Sequence, residues 1–181
     1  SSKGCAELVT AAYRQSFYQD KNIGLASVRA GNVIGGGDWA EDRLIPDIFR
    51  AFESNKPVVI RNPKATRPWQ HVLEPLSGYL LLAEKLFSDP VRFSEGWNFG
   101  PQYDDVKPVD WILDYMTKLW PNSSWQLDGS TNPHEANLLK LDISKAESQL
   151  NWVPTWNLET SLEKIVQWQH AWDSGADMHK V

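Results

Sequence analysis

Apolar positions recur along the chain with two different spacings, and each spacing predicts a type of secondary structure. Helical spacing covers the first segment and predicts further helices over residues 44–53, from 74 onward, over 109–119, from 144 and from 158. Short apolar runs predict strands over residues 25–30, 57–61 and 96–100. Short strands that alternate with helices are typical of α/β or α+β packing.

The apolar side of each predicted helix identifies the residues that we expect to pack. In the first segment this side consists of Cys5, Leu8, Val9, Ala12, Tyr13 and Phe17. The helix from residue 74 has a proline in its first turn and would bury Leu76, Tyr79, Leu80, Ala83, Leu86 and Phe87. The later helices would bury Ile112, Tyr115, Met116 and Leu119, and then Leu158, Leu162, Ile165, Val166 and Trp172. A capping box of Ser144 and Glu147 would open the short helix between them.

Composition narrows the class of protein. The 181 residues are 41% hydrophobic and 23% charged, which is typical of a globular chain and excludes a disordered or fibrous one. A net charge of −5 argues against a nucleic-acid partner, because phosphate binding needs a basic surface. No apolar run approaches the roughly 20 residues that span a bilayer, so we expect no membrane segment. The single cysteine, Cys5, excludes an internal disulfide framework and favours a reducing, cytoplasmic location.

Ten tryptophans are an unusual number for this length. Tryptophan usually packs in a core or an interface, although an array of indoles can also stack on sugars. The tryptophans follow no repeat period, which favours packing. The four histidines are scattered and far from the thiol, so the spacing predicts no metal site.

Candidate chemistry lies where strands are followed by loops. Residues 31–38 form a glycine-rich loop after the first predicted strand, where α/β proteins often bind ligands. Several polar side chains that suit phosphate oxygens lie at or near such loops, namely Arg29, Asn32, Arg43, Arg61 and Arg67. Each arginine could equally be a solvated surface charge, and Asn32 could simply be a turn residue.

Several segments resemble motifs of the extended short-chain dehydrogenase/reductase family, in family order. Residues 1–7 (SSKGCAE) resemble the end of its YxxxK segment, and 29–35 (RAGNVIG) resemble its RxxNVYG segment. Residues 67–74 (RPWQHVLE) and 97–100 (WNFG) resemble two further motifs, and 141–154 resemble the family's C-terminal LD…KA…LGWxP pattern. The resemblance implies the last part of a Rossmann-type doubly wound sheet with a smaller C-terminal α/β substrate-binding lobe.

Within that family, residues 35–46 and 132–137 resemble the nucleotide-sugar 4,6-dehydratases that act on CDP-glucose. The resemblance implies NAD as cofactor and CDP-glucose as substrate. The implied reaction oxidises C4, eliminates water across C5 and C6 and returns the hydride to C6. Its product, CDP-4-keto-6-deoxyglucose, would serve dideoxysugar synthesis for O-antigen in lipopolysaccharide. Another epimerase, dehydratase or reductase of the family, or a non-catalytic binding module, remains the alternative.

The resemblance also assigns site residues. Lys3 matches the family lysine that binds the nicotinamide ribose and lowers the pKa of a neighbouring catalytic tyrosine, while Ala30 and Val33 would border the nicotinamide. The residues implied to bind substrate are Asn32, Arg43, Leu44, Val59, Arg61, Arg67, Tyr103, His134 and Glu135. The last two could also belong to an ordinary surface turn after a proline, and Lys3 could be a surface helix lysine. Glu74 departs from the pattern, since the family usually has aspartate there.

The implied domains divide the chain unequally. Residues 1–56 would complete the NAD-binding domain, and 57–181 would form mainly the nucleotide-sugar lobe, with some segments returning to the Rossmann sheet. The family's glycine fingerprint, catalytic tyrosine and dehydratase acid/base pair have no counterpart in this sequence. We therefore expect an upstream half, no dehydratase activity from these 181 residues alone, and a homodimer or higher homo-oligomer formed through the first helix.

Overall fold

The computed structural model describes residues 2–18, 20–129 and 139–180. The helices are α1 (Ser2–Tyr13), α2 (Leu44–Glu53), α3 (Leu73–Ser88), α4 (Pro90–Phe93), α5 (Val109–Leu119), α6 (Ser144–Leu150) and α7 (Leu158–Asp173). The strands are β1 (Ser27–Ala30), β2 (Asn32–Ile34), β3 (Val58–Ile60), β4 (Trp69–His71), β5 (Gly96–Phe99) and β6 (Trp125–Leu127). A π-helical stretch, Arg14–Tyr18, extends α1, and a 3₁₀ turn covers Tyr103–Asp105.

The strands form parallel pairs, which confirms the α/β class. β1 pairs with β5, β2 with β4, and β3 with β6. In register, Ala30 lies opposite Phe99, Asn32 opposite Trp69, and Val58 opposite Trp125. Each pair joins segments far apart in sequence, because parallel neighbours require a long crossover.

Two clusters of buried side chains hold these elements together. The larger packs α2, α5 and α7 around β2, β3 and β4, with Ile48, Ile112 and Leu162 fully buried. The smaller packs α3 and α6 against β5 around Trp97 and Phe99, which are also fully buried. The candidate ligand loops lie beside the larger cluster, so their position depends on it.

The helices α2 and α5 have the predicted bounds, and of the residues predicted to pack on α5, Ile112 and Met116 are buried while Tyr115 and Leu119 are partly buried. Helix α2 buries Ile45, Pro46, Ile48, Phe49 and Phe52, and α5 buries Val109, Ile112, Leu113 and Met116. Their apolar residues recur on one side only, so the pattern leaves a single way to pack each helix.

The predicted buried side of α3 is wrong at four of its six positions, whereas Tyr79 and Leu86 are half-buried and pack against the smaller cluster. Leu76, Leu80 and Phe87 are 43%, 74% and 93% exposed, and Ala83 is exposed as well. Helix α3 instead buries Glu74, Pro75, Gly78 and Leu82. The reason is a close approach at Gly78, where an added Cβ would lie 2.2 Å from Cδ1 of Phe99. Because Gly78 must face Phe99 of β5, the side of the helix that carries Leu76, Leu80 and Phe87 faces away from that strand.

Three short strands were not expected from the sequence. β2 lies within the predicted glycine-rich loop, and β4 and β6 fall in segments for which no element was predicted. Each has three residues, too few for an alternating pattern, and each is defined by a distant partner strand. The strand predicted over 25–30 begins only at Ser27.

The capping box at α6 is also wrong. Ser144 is the first helical residue, and its backbone N–H donates to the carboxylate of Asp142 at 2.9 Å. The N–H of Glu147, which the serine was expected to accept, donates instead to the carbonyl of Ile143 at 3.0 Å.

The predicted apolar side of α1 is exposed. Leu8, Val9, Tyr13 and Phe17 are 73%, 57%, 52% and 53% exposed, and Cys5 and Ala12 are exposed too. Among the described residues, no helix is long and apolar enough to cross a membrane.

Candidate functional site

A cavity of about 640 Å³ opens beside the larger core cluster. Its walls are β2 and the following glycine, the start of α2, β3 with the two residues after it, and Arg67 and Trp69 before and within β4. Lys3 reaches it from α1. The volume falls within the ~300–1,000 Å³ that ligand pockets usually have.

The cavity lies where parallel strands end, which is the place where α/β sheets usually bind ligands. Gly35 follows the carboxyl end of β2, and Arg61 follows that of β3. The first turn of α2 also borders the cavity, through Leu44, Ile45 and Pro46. A helix N-terminus carries partial positive charge and free N–H groups, so it favours an anion there.

Four cationic side chains line this one cavity: Lys3, Arg43, Arg61 and Arg67. Arg67 is half-buried, and one guanidinium nitrogen donates to the carbonyl of Thr66 at 3.0 Å, which fixes the side chain. Lys3, Arg43 and Arg61 are exposed. Three aspartates, Asp38, Asp42 and Asp47, line the same cavity, so its net charge is only slightly positive, and the guanidinium donors are what suit it to an anion.

Most sequence-predicted site residues are brought together here. Those that line the cavity are Lys3, Asn32, Val33, Arg43, Leu44, Val59, Arg61 and Arg67. They come from α1, β2, α2, β3 and the segment before β4, so only the fold brings them together.

Three predicted residues do not line the cavity. Arg29 forms an ion pair with Glu7 at 3.1 Å and donates to the side-chain oxygen of Asn98 at 2.7 Å. Ala30 ends β1, one residue before the cavity-lining Gly31. Tyr103 is 72% exposed, and the ammonium of Lys140 lies 3.3 Å from its ring centroid. His134 and Glu135 lie outside the described residues.

Gly31 shows why the chain turns so tightly at the cavity. A Cβ added there would lie 2.2 Å from the carbonyl oxygen of Pro68. The N–H groups of Gly31 and Asn32 donate to the carbonyls of Phe99 (3.3 Å) and Pro68 (2.8 Å). Only glycine permits this contact, and the contact places Asn32 and Val33 at the cavity.

Sequence reasoning missed several cavity residues. Asp38 and Asp42 come from the glycine-rich loop, and Asp47 from α2, where it pairs with Arg50. Asp42 adopts a left-handed backbone with φ of 58°. Aspartate tolerates this conformation in turns, and that preference is the signal in the sequence that could have indicated the turn. Trp69 is 8% exposed and forms part of the wall, although its place in a motif had suggested only packing.

In the motif of residues 67–74, Arg67 and Trp69 line the cavity, whereas His71 and Glu74 make contacts within the fold. The carboxylate of Glu74 is buried and accepts hydrogen bonds from the backbone N–H groups of Thr155 (2.7 Å) and Trp156 (3.0 Å). His71 lies edge-on to Trp156, with ring centroids 4.9 Å apart, and burial lowers its pKa below 6.5. These residues join β4 to the segment before α7 and do not line the cavity.

Titratable groups show no cluster that suits a metal. Within residues 2–18, 20–129 and 139–180, no group of three or more His, Cys, Asp or Glu side chains could hold an ion. The half-buried carboxylate of Asp105 has a role in the fold: it accepts the N–H of Leu158 at 2.5 Å, and its partial burial raises its pKa.

The chain is similar in sequence to a characterised enzyme. It is 59% identical, over 98% of its length, to CDP-glucose 4,6-dehydratase of Salmonella typhimurium strain LT2. The match covers 51% of that enzyme, so the chain spans about half the length of this relative. No family model matches the chain.

Solved structures share its fold. UDP-glucuronic acid 4-epimerase of Bacillus cereus, solved with UDP-glucuronic acid and NAD, superposes with a TM-score of 0.75 over 92% of this chain and 50% of that one, at 20% identity. dTDP-glucose 4,6-dehydratase of Bacillus anthracis, solved with NAD, gives a TM-score of 0.71 over 94% and 51%, at 19% identity. At such identities the likeness concerns the fold, whereas the Salmonella match concerns the sequence. The chain is thus similar in sequence to about half of CDP-glucose 4,6-dehydratase, and it shares its fold with solved nucleotide-sugar epimerases and dehydratases.

Proposed function

We propose that this chain forms the nucleotide-sugar-binding half of an NAD-dependent CDP-glucose 4,6-dehydratase. The observation that carries the proposal is the convergence of Lys3, Arg43, Arg61 and Arg67 on one cavity at the ends of parallel strands. The 59% identity to the Salmonella enzyme supports CDP-glucose as the substrate.

The diphosphate of the substrate is the natural anion for this cavity. Arginine guanidinium groups donate paired hydrogen bonds that match phosphate oxygens. Arg67 has the most restricted of these side chains, since it is half-buried and anchored on the Thr66 carbonyl. The Asn32 amide, also half-buried at the cavity, would donate to the same group. Arg43 and the start of α2 would bind from the opposite wall.

The nucleoside would lie along β3. Val59 is 54% exposed and presents an apolar side chain to the cavity, which suits the face of a pyrimidine ring. Arg61 comes directly after this strand and also lines the cavity, where it would contact the base or the ribose. Tyr103, His134 and Glu135 would contact the substrate from outside the described part of the cavity wall.

The residues toward β1 fit the nicotinamide end of NAD. Val33 lines the cavity and Ala30 lies one residue before its wall, so the nicotinamide ring would lie beside them. Lys3 is exposed at the cavity, and its ammonium would bind the ribose hydroxyls and favour the ionised form of a nearby phenol. When bound, NAD would take a hydride from C4 of the sugar and return it to C6.

The remaining parts of the proposal concern the intact protein, of which this chain would be one half. Residues 1–56 would complete the NAD-binding domain and 57–181 would form mainly the sugar-nucleotide lobe. The exposed apolar side of α1 would pair with a second copy in a homodimer. The enzyme would act in the cytoplasm, and its product would supply dideoxysugars for O-antigen.

The test is turnover by the intact protein. Incubation with CDP-glucose should give a 4-keto product that absorbs in alkali, and UDP-glucose and dTDP-glucose should give much less. An epimerised sugar in place of the 4-keto product would favour an epimerase, and no product with any of the three would favour a binding module. The 181 residues alone should show no turnover.

A further inference from the structure

The loop of residues 35–43, between β2 and α2, carries much of the cavity wall. Gly35, Asp38, Asp42 and Arg43 all line the cavity from this loop. The loop has no regular structure, so its shape depends on what packs behind it. That support comes from α7, which contributes no residue to the cavity.

Trp168 of α7 lies directly against the loop backbone at Gly36. A Cβ added at Gly36 would lie 2.1 Å from Cδ2 and 2.3 Å from Cγ of the indole. The neighbouring Gly37 has a left-handed backbone with φ of 76°, and the same indole lies 3.5 Å from the place of its Cβ. Glycine at Gly36 lets the indole touch the main chain, and glycine at Gly37 allows the left-handed backbone. A shift of the indole would therefore be passed on to the loop.

Trp39, which belongs to the loop, packs on the same helix. Its ring centroid lies 6.1 Å from that of Trp168 and 5.5 Å from that of Trp172. Trp168 and Trp172 stack on each other at 5.8 Å with an interplanar angle of 6°. These three indoles, which we call the tryptophan clamp, join the loop to successive turns of α7.

The clamp is separate from the packing that holds α7 in the core. Helix α7 buries Leu158, Leu162, Ile165 and Val166 against the larger cluster, whereas Trp168 is only half-buried. A second anchor completes the loop: Arg50 of α2 donates to the carbonyls of Trp39 (3.3 Å) and Ala40 (3.1 Å). The loop is thus held at Gly36 on one side of Asp38 and at Trp39 and Ala40 on the other. Arg43 comes three residues after this second point of attachment.

We propose that Trp168 is a positioning residue for the ligand cavity: through Gly36 it sets the loop that presents Asp38, Asp42 and Arg43. This inference rests on the proposed function, because it takes the ligand to be a nucleotide sugar. A loop that is not held in place before binding must be ordered when the ligand binds, which weakens affinity on the order of tenfold for one or two immobilised side chains.

The test compares CDP binding by the intact protein and its variants in calorimetry. Trp168→Ala should raise the dissociation constant on the order of tenfold with unchanged stoichiometry, and Trp168→Phe should recover most of the loss. Trp111→Ala is the matched control, since Trp111 stacks on Tyr115 away from the cavity and its loss should leave the constant unchanged. In turnover, Trp168→Ala should raise KM for CDP-glucose while kcat changes little.

A second variant separates positioning from folding. Gly36→Ala should weaken CDP binding in the wild-type background but have little further effect in Trp168→Ala, because the ring that meets the new methyl group is gone. Equal CDP binding by wild type, Trp168→Ala and Gly36→Ala would overturn the positioning role alone. If the wild type itself bound no CDP, the proposed function would fail and this inference with it.

Discussion

The buried carboxylate of Glu74 accepts the backbone N–H of Thr155 at 2.7 Å, across more than eighty residues of sequence. Its second oxygen accepts the N–H of Trp156 at 3.0 Å, so one side chain caps the turn that leads into α7. The family resemblance would place aspartate here, and the longer glutamate reaches a turn that follows a distant strand. Because α7 carries Trp168 and Trp172 of the tryptophan clamp, the hydrogen bonds of Glu74 also help to position the cavity loop.

Loss of this carboxylate should destabilise the fold. Glu74→Ala leaves the part-buried N–H groups of Thr155 and Trp156 without their acceptor and removes a buried side chain, which should lower the free energy of unfolding by about 1–3 kcal/mol. Urea denaturation of the 181-residue chain measures it. Glu84→Ala, on the exposed side of the same helix, is the control and should stay within about 0.5 kcal/mol of wild type. Equal losses in both variants would contradict the cap.

The exposed side of α3 gives a second prediction. Leu82 is 2% exposed and Leu80 is 74% exposed, although the sequence pattern had placed Leu80 in the core. In the 181-residue chain, Leu82→Ala should lower the free energy of unfolding by about 2–5 kcal/mol, because it leaves a cavity among packed side chains. Leu80→Ala should cost less than about 0.5 kcal/mol. The reverse order of losses would show that the helix is turned the other way.

Arg67 should contribute to anion binding through its fork of donors. Arg67→Lys keeps the charge but loses the paired hydrogen bonds, so CDP binding should weaken by about 1–2 kcal/mol. Arg92→Lys is the control, since Arg92 lies over the Phe93 ring and outside the cavity. Calorimetric titration of both variants with CDP measures the difference, and similar affinities would remove Arg67 from the site.

His71 should make stability depend on pH. Burial lowers its pKa below 6.5, so the unfolded chain binds a proton at a pH where the native state does not. Stability is therefore complete above pH 6.5 and falls as the pH drops below that value. His71→Gln should flatten this fall in urea titrations, and His179→Gln, at an exposed position, should not. A wild-type curve with no fall below pH 6.5 would contradict the assignment.

How far the sequence predicted the fold depended on how one-sided each pattern was. The helices α2 and α5 were predicted to the residue, since their apolar positions leave one packing direction. Helix α3 is apolar on more than one side, and the contact of Gly78 with Phe99, which no local pattern shows, decides which side is buried. The strands β2, β4 and β6 are too short to carry a pattern and depend on distant partners.

The same contrast applies to the candidate site. Asn32 and Arg67 were identified by motif, and the structure places both at one cavity. Asp42 and Trp69 belong to the same wall, yet neither was selected, because no motif assigns a ligand contact to either position. The support from Trp168 could not be found by motif at all, since it acts from a helix distant in sequence.

The most direct test of the central claim is a crystal structure of the intact protein with CDP. We expect the diphosphate within hydrogen-bond distance, about 3.2 Å or less, of the Arg67 guanidinium and the Asn32 amide, with the base beside Val59. A diphosphate bound elsewhere, with Arg67 and Asn32 pointing away from it, would contradict the account.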